Sequence, residues 1–143
     1  MENLYSKQKT LCNALDRLEE AVEDFDKVKT NLQKTYNFET YQVYQDSIIK
    51  RFCLAVDLFW TCIKLFLEEE GCCILLTATI KSIIKTACNT RLITEQDAEK
   101  ILDMIDDRNK SSHLYKEEIA DQISSKIGDH YKIMRKYIDK LAP

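Results

Sequence analysis

The scarcity of chain-breaking residues constrains this sequence more than any other feature. Two glycines, Gly71 and Gly128, and one proline, Pro143, occur in 143 residues. Tight turns draw heavily on both residue types, and helix interiors exclude them. The chain is therefore expected to be all-α, an up-and-down four-helix bundle with one extra short helix, in a single domain over residues 1–143. Its 45% hydrophobic content suffices for one core at this size.

Apolar spacing places the helices. Leu4, Leu11, Leu15, Leu18, Val22 and Phe25 recur at sevens, fours and threes, which predicts an amphipathic helix from about 4 to the low thirties. The aromatic run TYNFETYQVYQ follows, as a loop or the start of the next helix. The second helix is predicted over about 41–69. Its apolar face, from Ile48 through Phe52, Phe59 and Ile63 to Leu67, is wide enough for a central position, and Gly71 suits its C-terminal cap. CCILLTA, 72–78, has no clear period and reads as a buried connection. A short third helix covers about 79–89. Thr94 and Asp97 form a variant capping box, opening a fourth helix to about 111 with Ala98, Ile101, Leu102 and Ile105 inward. The last helix starts near Tyr115 or Lys116 and carries Ile119, Ile123, Ile127, Tyr131, Met134, Ile138 and Leu141. Gly128 inside it predicts a close helix contact or a bend.

A net charge of −3 argues against a broad duplex-DNA surface, which needs an extended basic field. It leaves room for a small phosphate site. The polar N-terminus shows no apolar leader, and no run approaches the ~20 apolar residues of a membrane span; a cytoplasmic protein is expected. Six cysteines, at 12, 53, 62, 72, 73 and 88, form no CxxC and read as small buried hydrophobes. Asp57, Asp103, Asp106 and Asp107 make no recognisable ligand set, so neither a bound metal nor a cofactor is expected.

The segment RNKSSHLY, 108–115, carries the candidate chemistry. On a continuous helix Arg108 and His113 would point about 140° apart. Ser111 and Ser112 favour a helix end, where the backbone can turn the histidine toward the arginine. Arginine offers a phosphate a permanent charge and a planar fork of donors. Histidine exchanges protons near neutral pH. The pair suits RNA cleavage without a metal: His113 assists attack by a ribose 2′-hydroxyl or protonates the leaving oxygen, and Arg108 holds the phosphate. Asn109 could orient His113 or donate to the same phosphate; Tyr115 could hydrogen-bond, stack on a base or accept a modification. A plain helix C-terminus with cations near its dipole accounts for the same residues.

RNKSSHLY resembles the R-x4-H motif of the HEPN superfamily, and the H-x-Y extension resembles its nucleotidyltransferase substrate-binding proteins. DSIIKRFCLAVDLFWTCIKLFLEEEG, 46–71, is similar to that family's second helix: Asp46, Ile49, Arg51, Phe52, Leu58 and Trp60 fit, with Asp57 for the usual glutamate. LITEQDAEKILDMIDDRN matches the run before the motif. Departures are Cys53 where the family often has Glu, Thr79 for Pro, Ile101 for Trp and Arg91 for Gly; Cys53 bears on catalysis, because a helix-two acid can lie near the motif. The resemblance implies a homodimer with the two motifs facing each other in one composite site. It also implies a minimal nucleotidyltransferase as partner, in a toxin–antitoxin-like pair. The chain would be an RNase toxin silenced by AMP transfer to Tyr115, where an anionic adduct beside Arg108 would fill the phosphate pocket. The alternatives are a non-catalytic subunit that binds nucleotide or substrate, with Arg108 and His113 only gripping phosphate, and a helical assembly module without ligand.

The other marked residues have simpler readings. Lys126, Lys132, Arg135, Lys136 and Lys140 outnumber Asp129 and Asp139 and could form a stripe that guides RNA, although charge runs are usually solvated faces. His130 reads as surface or core, Trp60 as a core or interface anchor, and Tyr36, Phe38, Tyr41 and Tyr44 as a packed loop or a partner patch.

Overall fold

The computed structural model describes residues 3–31, 38–113 and 116–142, without the side chains of Asn31 and His113. Its elements are α1 (Leu4–Asn31), α2 (Phe38–Glu69), α3 (Ile80–Asn89), α4 (Glu95–Lys110) and α5 (Glu117–Ile138), with 3₁₀ turns at Ser111–His113 and Asp139–Leu141. Among the described residues there is no strand, as the dearth of turn residues requires. None of the helices is long and apolar enough to cross a membrane.

α2 is central and packs on all four other helices. Phe52, Ala55, Val56, Phe59, Cys62 and Ile63 are fully buried along it, facing Leu11, Leu15 and Leu18 of α1 and Ile127 and Met134 of α5 in one continuous core. Truncating a ring such as Phe52 to alanine there costs about 3–5 kcal/mol. The aromatic run resolves as helix from Phe38 onward, with Tyr41 tilted against Phe25 at 5.3 Å; Tyr36 lies outside the described residues.

Helix ends follow local chemistry. Thr79 caps α3 by accepting the Ser82 N–H at 3.1 Å. Thr94 caps α4 in the same way through the Asp97 N–H at 3.1 Å. The Asp97 carboxylate, expected to complete the box, is engaged chiefly by Lys136 Nζ at 2.7 Å and by the Tyr137 hydroxyl. These bonds hold Asp97 below the usual carboxylate range. Gly71 ends α2 with φ +90°, the left-handed cap its position predicts.

Two expectations fail, and a third is narrowed. The 72–78 segment is not buried: Cys73 is exposed, Leu75 is 67% exposed and Leu76 fully so. An apolar run without helical period has no face to bury, and here it passes outside the bundle. Cys73 is thus no core residue, although Cys62 is buried and the other four cysteines are half-buried. Of the two readings of Gly128, the close contact is excluded, because a methyl group added there would meet nothing within 4 Å.

Two substitutions should stabilise the protein. Gly128→Ala removes glycine's entropic penalty from a helix interior and should add about 0.5–1 kcal/mol. Arg91, just past the cap of α3, sits at φ +66°. Arg91→Gly should relieve about 1 kcal/mol of left-handed backbone cost. Urea midpoints of both variants, at unchanged m-value, provide the check.

Candidate functional site around Arg108

Arg108 lies in the last turn of α4 and reaches across to α2. Its Nε donates to Asp57 Oδ1 and its Nη2 to Asp57 Oδ2, both at 2.9 Å, in a bidentate pair. The side chains are 36% and 45% exposed, so the pair sits at the surface, open on one side. Hydrogen bonding to Asp57 raises the Arg108 pKa above its ordinary value. The Nη1 edge has no hydrogen-bond partner among the described residues and remains available to an anion. Cys53 lies one turn before Asp57, close enough to act electrostatically on Arg108. The acid that Arg108 meets on α2 is Asp57.

The backbone leaves α4 where the paired serines predict. Ser111 N–H and Oγ both donate to the Arg108 carbonyl, the hydroxyl at 2.6 Å, and Ser112 Oγ donates to the Asn109 carbonyl at 3.2 Å. These bonds tighten the end into the Ser111–His113 turn. Asn109 is exposed. The His113 side chain and all of Tyr115 lie outside the described residues, so of the four candidates only Arg108 and Asn109 are placed in full.

A second group of polar residues lies one step back along α4. Asp107, only 2% exposed, accepts from Lys126 Nζ at 2.9 Å and bonds His130 Nε2 at 2.7 Å, both on α5. His130 is itself buried, stacked on Phe52 at 5.4 Å. Asp107 raises the pKa of Lys126 through its hydrogen bond. Composition gave no sign of this cluster; helical phase did. Asp107 continues the inward row Ile101, Met104, and His130 sits between Ile127 and Met134 on the inward row of α5. A charged residue on an apolar row requires a buried partner.

The expected basic stripe on α5 is mostly spent within the fold. Lys126 serves Asp107, Lys136 serves Asp97, and Arg135 bonds Asp16 and the Tyr131 hydroxyl. Lys132 stays exposed. Trp60 is half-buried, and its indole N–H is enclosed without a partner among the described residues.

Comparison with known proteins decides the family. The model for "Nucleotidyltransferase substrate binding protein like" matches residues 6–142. The chain belongs to this family. A crystal structure of a Thermus thermophilus protein superposes with a TM-score of 0.65 at 27% identity, covering 88% of this chain and 99% of that one. No curated protein matches the chain. HEPN superfamily placement agrees with the all-helical fold and with Arg108 at the end of α4. Family membership implies association with a nucleotidyltransferase.

The two adjacent ionic sites differ in what their loss should cost. Asp57→Asn breaks a surface pair and should cost no more than about 1 kcal/mol. Asp107→Asn strips the counter-charge from a buried site and should cost about 3 kcal/mol. Thermal midpoints should therefore fall by at most about 4 °C for the first and by roughly 6–12 °C for the second.

Proposed function

We propose that this protein is a metal-independent ribonuclease, acting as a homodimer, whose partner nucleotidyltransferase silences it by transferring AMP to Tyr115. The observation that carries the reading is the state of Arg108. Asp57 grips one edge of its guanidinium, and the Nη1 edge has no partner among the described residues, three residues before the turn that carries His113. An arginine held in this way loses little further entropy when it takes a phosphodiester.

In the proposed reaction a neutral His113 accepts the proton of a ribose 2′-hydroxyl. The oxygen attacks the adjacent phosphorus, the bond to the 5′-oxygen breaks, and a 2′,3′-cyclic phosphate forms. The departing oxygen takes a proton from a second imidazole in its protonated form, that of His113 in the other copy, which is left neutral. Arg108 offsets the charge that grows on the phosphoryl oxygens, and Asn109 donates to the same group or orients the histidine. Two-fold symmetry thus supplies an acid and a base from one residue position. In this reading Leu54, 57% exposed and three residues before Asp57 on α2, would offer the second copy an apolar footing. Six free thiols suit the reducing cytoplasm in which such a pair would work.

The family's own description favours a second reading, a substrate-binding subunit in which Arg108 and His113 hold a nucleotide phosphate for the partner enzyme. One assay separates the two. Protein purified without its partner should cleave RNA in EDTA, and His113→Ala should lose at least about 100-fold in rate. Absence of cleavage in wild type, together with a change in the partner's nucleotide affinity that Arg108→Ala abolishes, would establish the binding subunit instead.

A further inference from the structure

α2 buries one face in the core and carries a second apolar stripe on its outward side. Val43, Ser47, Leu54, Leu58, Thr61 and Leu65 fall within about 60° of one another around the helix and run along about 33 Å of it. Val43 is 67% and Leu54 57% exposed, and Leu58 and Leu65 are half-buried. The outward face of a bundle helix is normally polar and charged. Here Lys50 and Asp57 only border the stripe, and Asp57 is already paired with Arg108. From Arg51 onward the spacing is that of a heptad seam. Arg51, Leu54, Leu58, Thr61, Leu65 and Glu68 follow at threes and fours, with no charge in the four middle places.

The seam is complementary to itself in one direction only. A parallel pair would set Arg51 on Arg51 and Glu68 on Glu68. An antiparallel pair about a two-fold axis sets Leu54 against Leu65, Leu58 against Thr61 and Arg51 against Glu68, each layer made twice. In its own chain Arg51 donates from Nη1 to the Arg17 carbonyl at 3.1 Å, and Glu68 meets Lys64 at 3.8 Å. Both are surface contacts that leave donors and acceptors to spare. The same pairing brings the C-terminal end of α2, where the exposed Leu75 and Leu76 follow, to the end of the other α2 where Val43 stands. Four of the six exposed large hydrophobic side chains among the described residues, Val43, Leu54, Leu75 and Leu76, are thereby gathered on one surface.

We propose that a second copy of this chain covers the stripe, its α2 antiparallel to the first, in the register that opposes Leu54 to Leu65 and Arg51 to Glu68. The inference rests on the homodimer of the proposed function and adds the surface that forms it. The two-fold axis then passes between Leu58 and Thr61, beside the Arg108 site. Asp57 lies on one flank of the seam, and in an antiparallel pair like flanks meet on the same side. The two Asp57–Arg108 pairs therefore share one side of the interface, their Asp57 positions about 7.5 Å apart along the helix axes. Lys64 of the second copy falls on that flank as well, about 3 Å from Asp57 along the axes. Each arginine gains a cation from across the interface, and one copy alone carries half of the site.

Sedimentation of the full chain tests both the surface and the register. Wild type should be a dimer. Leu54→Glu, at an exposed position outside the core, should raise the dissociation constant at least about 100-fold with the helical circular dichroism unchanged. Arg51→Glu and Glu68→Arg should each weaken the dimer about tenfold, and the double variant should return to within about threefold of wild type. Residues 51 and 68 are about 25 Å apart along α2, so such recovery can arise only between copies. A wild type that stays monomeric at about 100 µM overturns the proposal and leaves the stripe to the nucleotidyltransferase. A dimer indifferent to Leu54→Glu, or a double variant no better than its single changes, overturns it as well. Ribonuclease assays on the same samples keep the two readings apart. A dimer that behaves as expected but cleaves no RNA retains this interface and loses the ribonuclease, whereas an RNA-cleaving dimer indifferent to Leu54→Glu does the reverse.

Discussion

Two consecutive residues of opposite charge fix the fourth helix in this bundle. On a helix neighbours diverge by about 100°. Asp107 therefore turns inward to α5 while Arg108 turns sideways to α2. Neither contact alone would settle the rotation of α4 about its axis. Together they tie it in two directions at the turn where the chain leaves the helix. The inner contact is enclosed and costly to break, the outer one exposed and cheap. This division has a chemical consequence. The buried acid carries the work of placement, and the arginine keeps its orientation, with an Nη1 edge that no described residue engages.

The same economy explains the acidic balance of the chain. A bundle with few loops must join helices through their side chains. Here α5 is joined to α1 by Arg135 and Tyr131 on Asp16 and Glu19, and to α4 by Lys136 and Tyr137 on Asp97 and by Lys126 and His130 on Asp107. Bases that look like a nucleic-acid stripe in the linear sequence are spent on acids of neighbouring helices. What remains for an external phosphate is local, which agrees with a site built on one arginine and disagrees with a broad electrostatic field.

The helices were legible because their signals are strong and local: period, caps and the lack of breakers. α1, α2 and α3 run close to where apolar spacing places them, and α4 opens at the cap that Thr94 predicts. The exposed Leu75–Leu76 pair was not legible, because a hydrophobic run read without its surroundings looks like core. Arg108 stood out by motif, but its partner did not. Asp57 pairs with it from 51 residues away, and no spacing rule reaches that far. Asp107 and His130 fall between these cases. Each sits in phase with an inward row, Ile101 and Met104 for one, Ile127 and Met134 for the other, so burial was readable and only the identity of the partner was not.

Departures from the family pattern acquire physical meaning in this arrangement. Cys53 stands in place of an acid, and Arg108 pairs instead with Asp57, one turn further along α2, the residue that stands for the family's usual glutamate there. Arg91 in place of glycine keeps the left-handed residue that ends α3, at a cost in backbone strain that the two bonds from the Leu92 and Ile93 N–H groups to the Ala87 carbonyl offset. Neither change moves the end of α4. The geometry that presents Arg108 depends on Asp107 being buried against α5 and on the serines that stop the helix three residues later, and both features are intact.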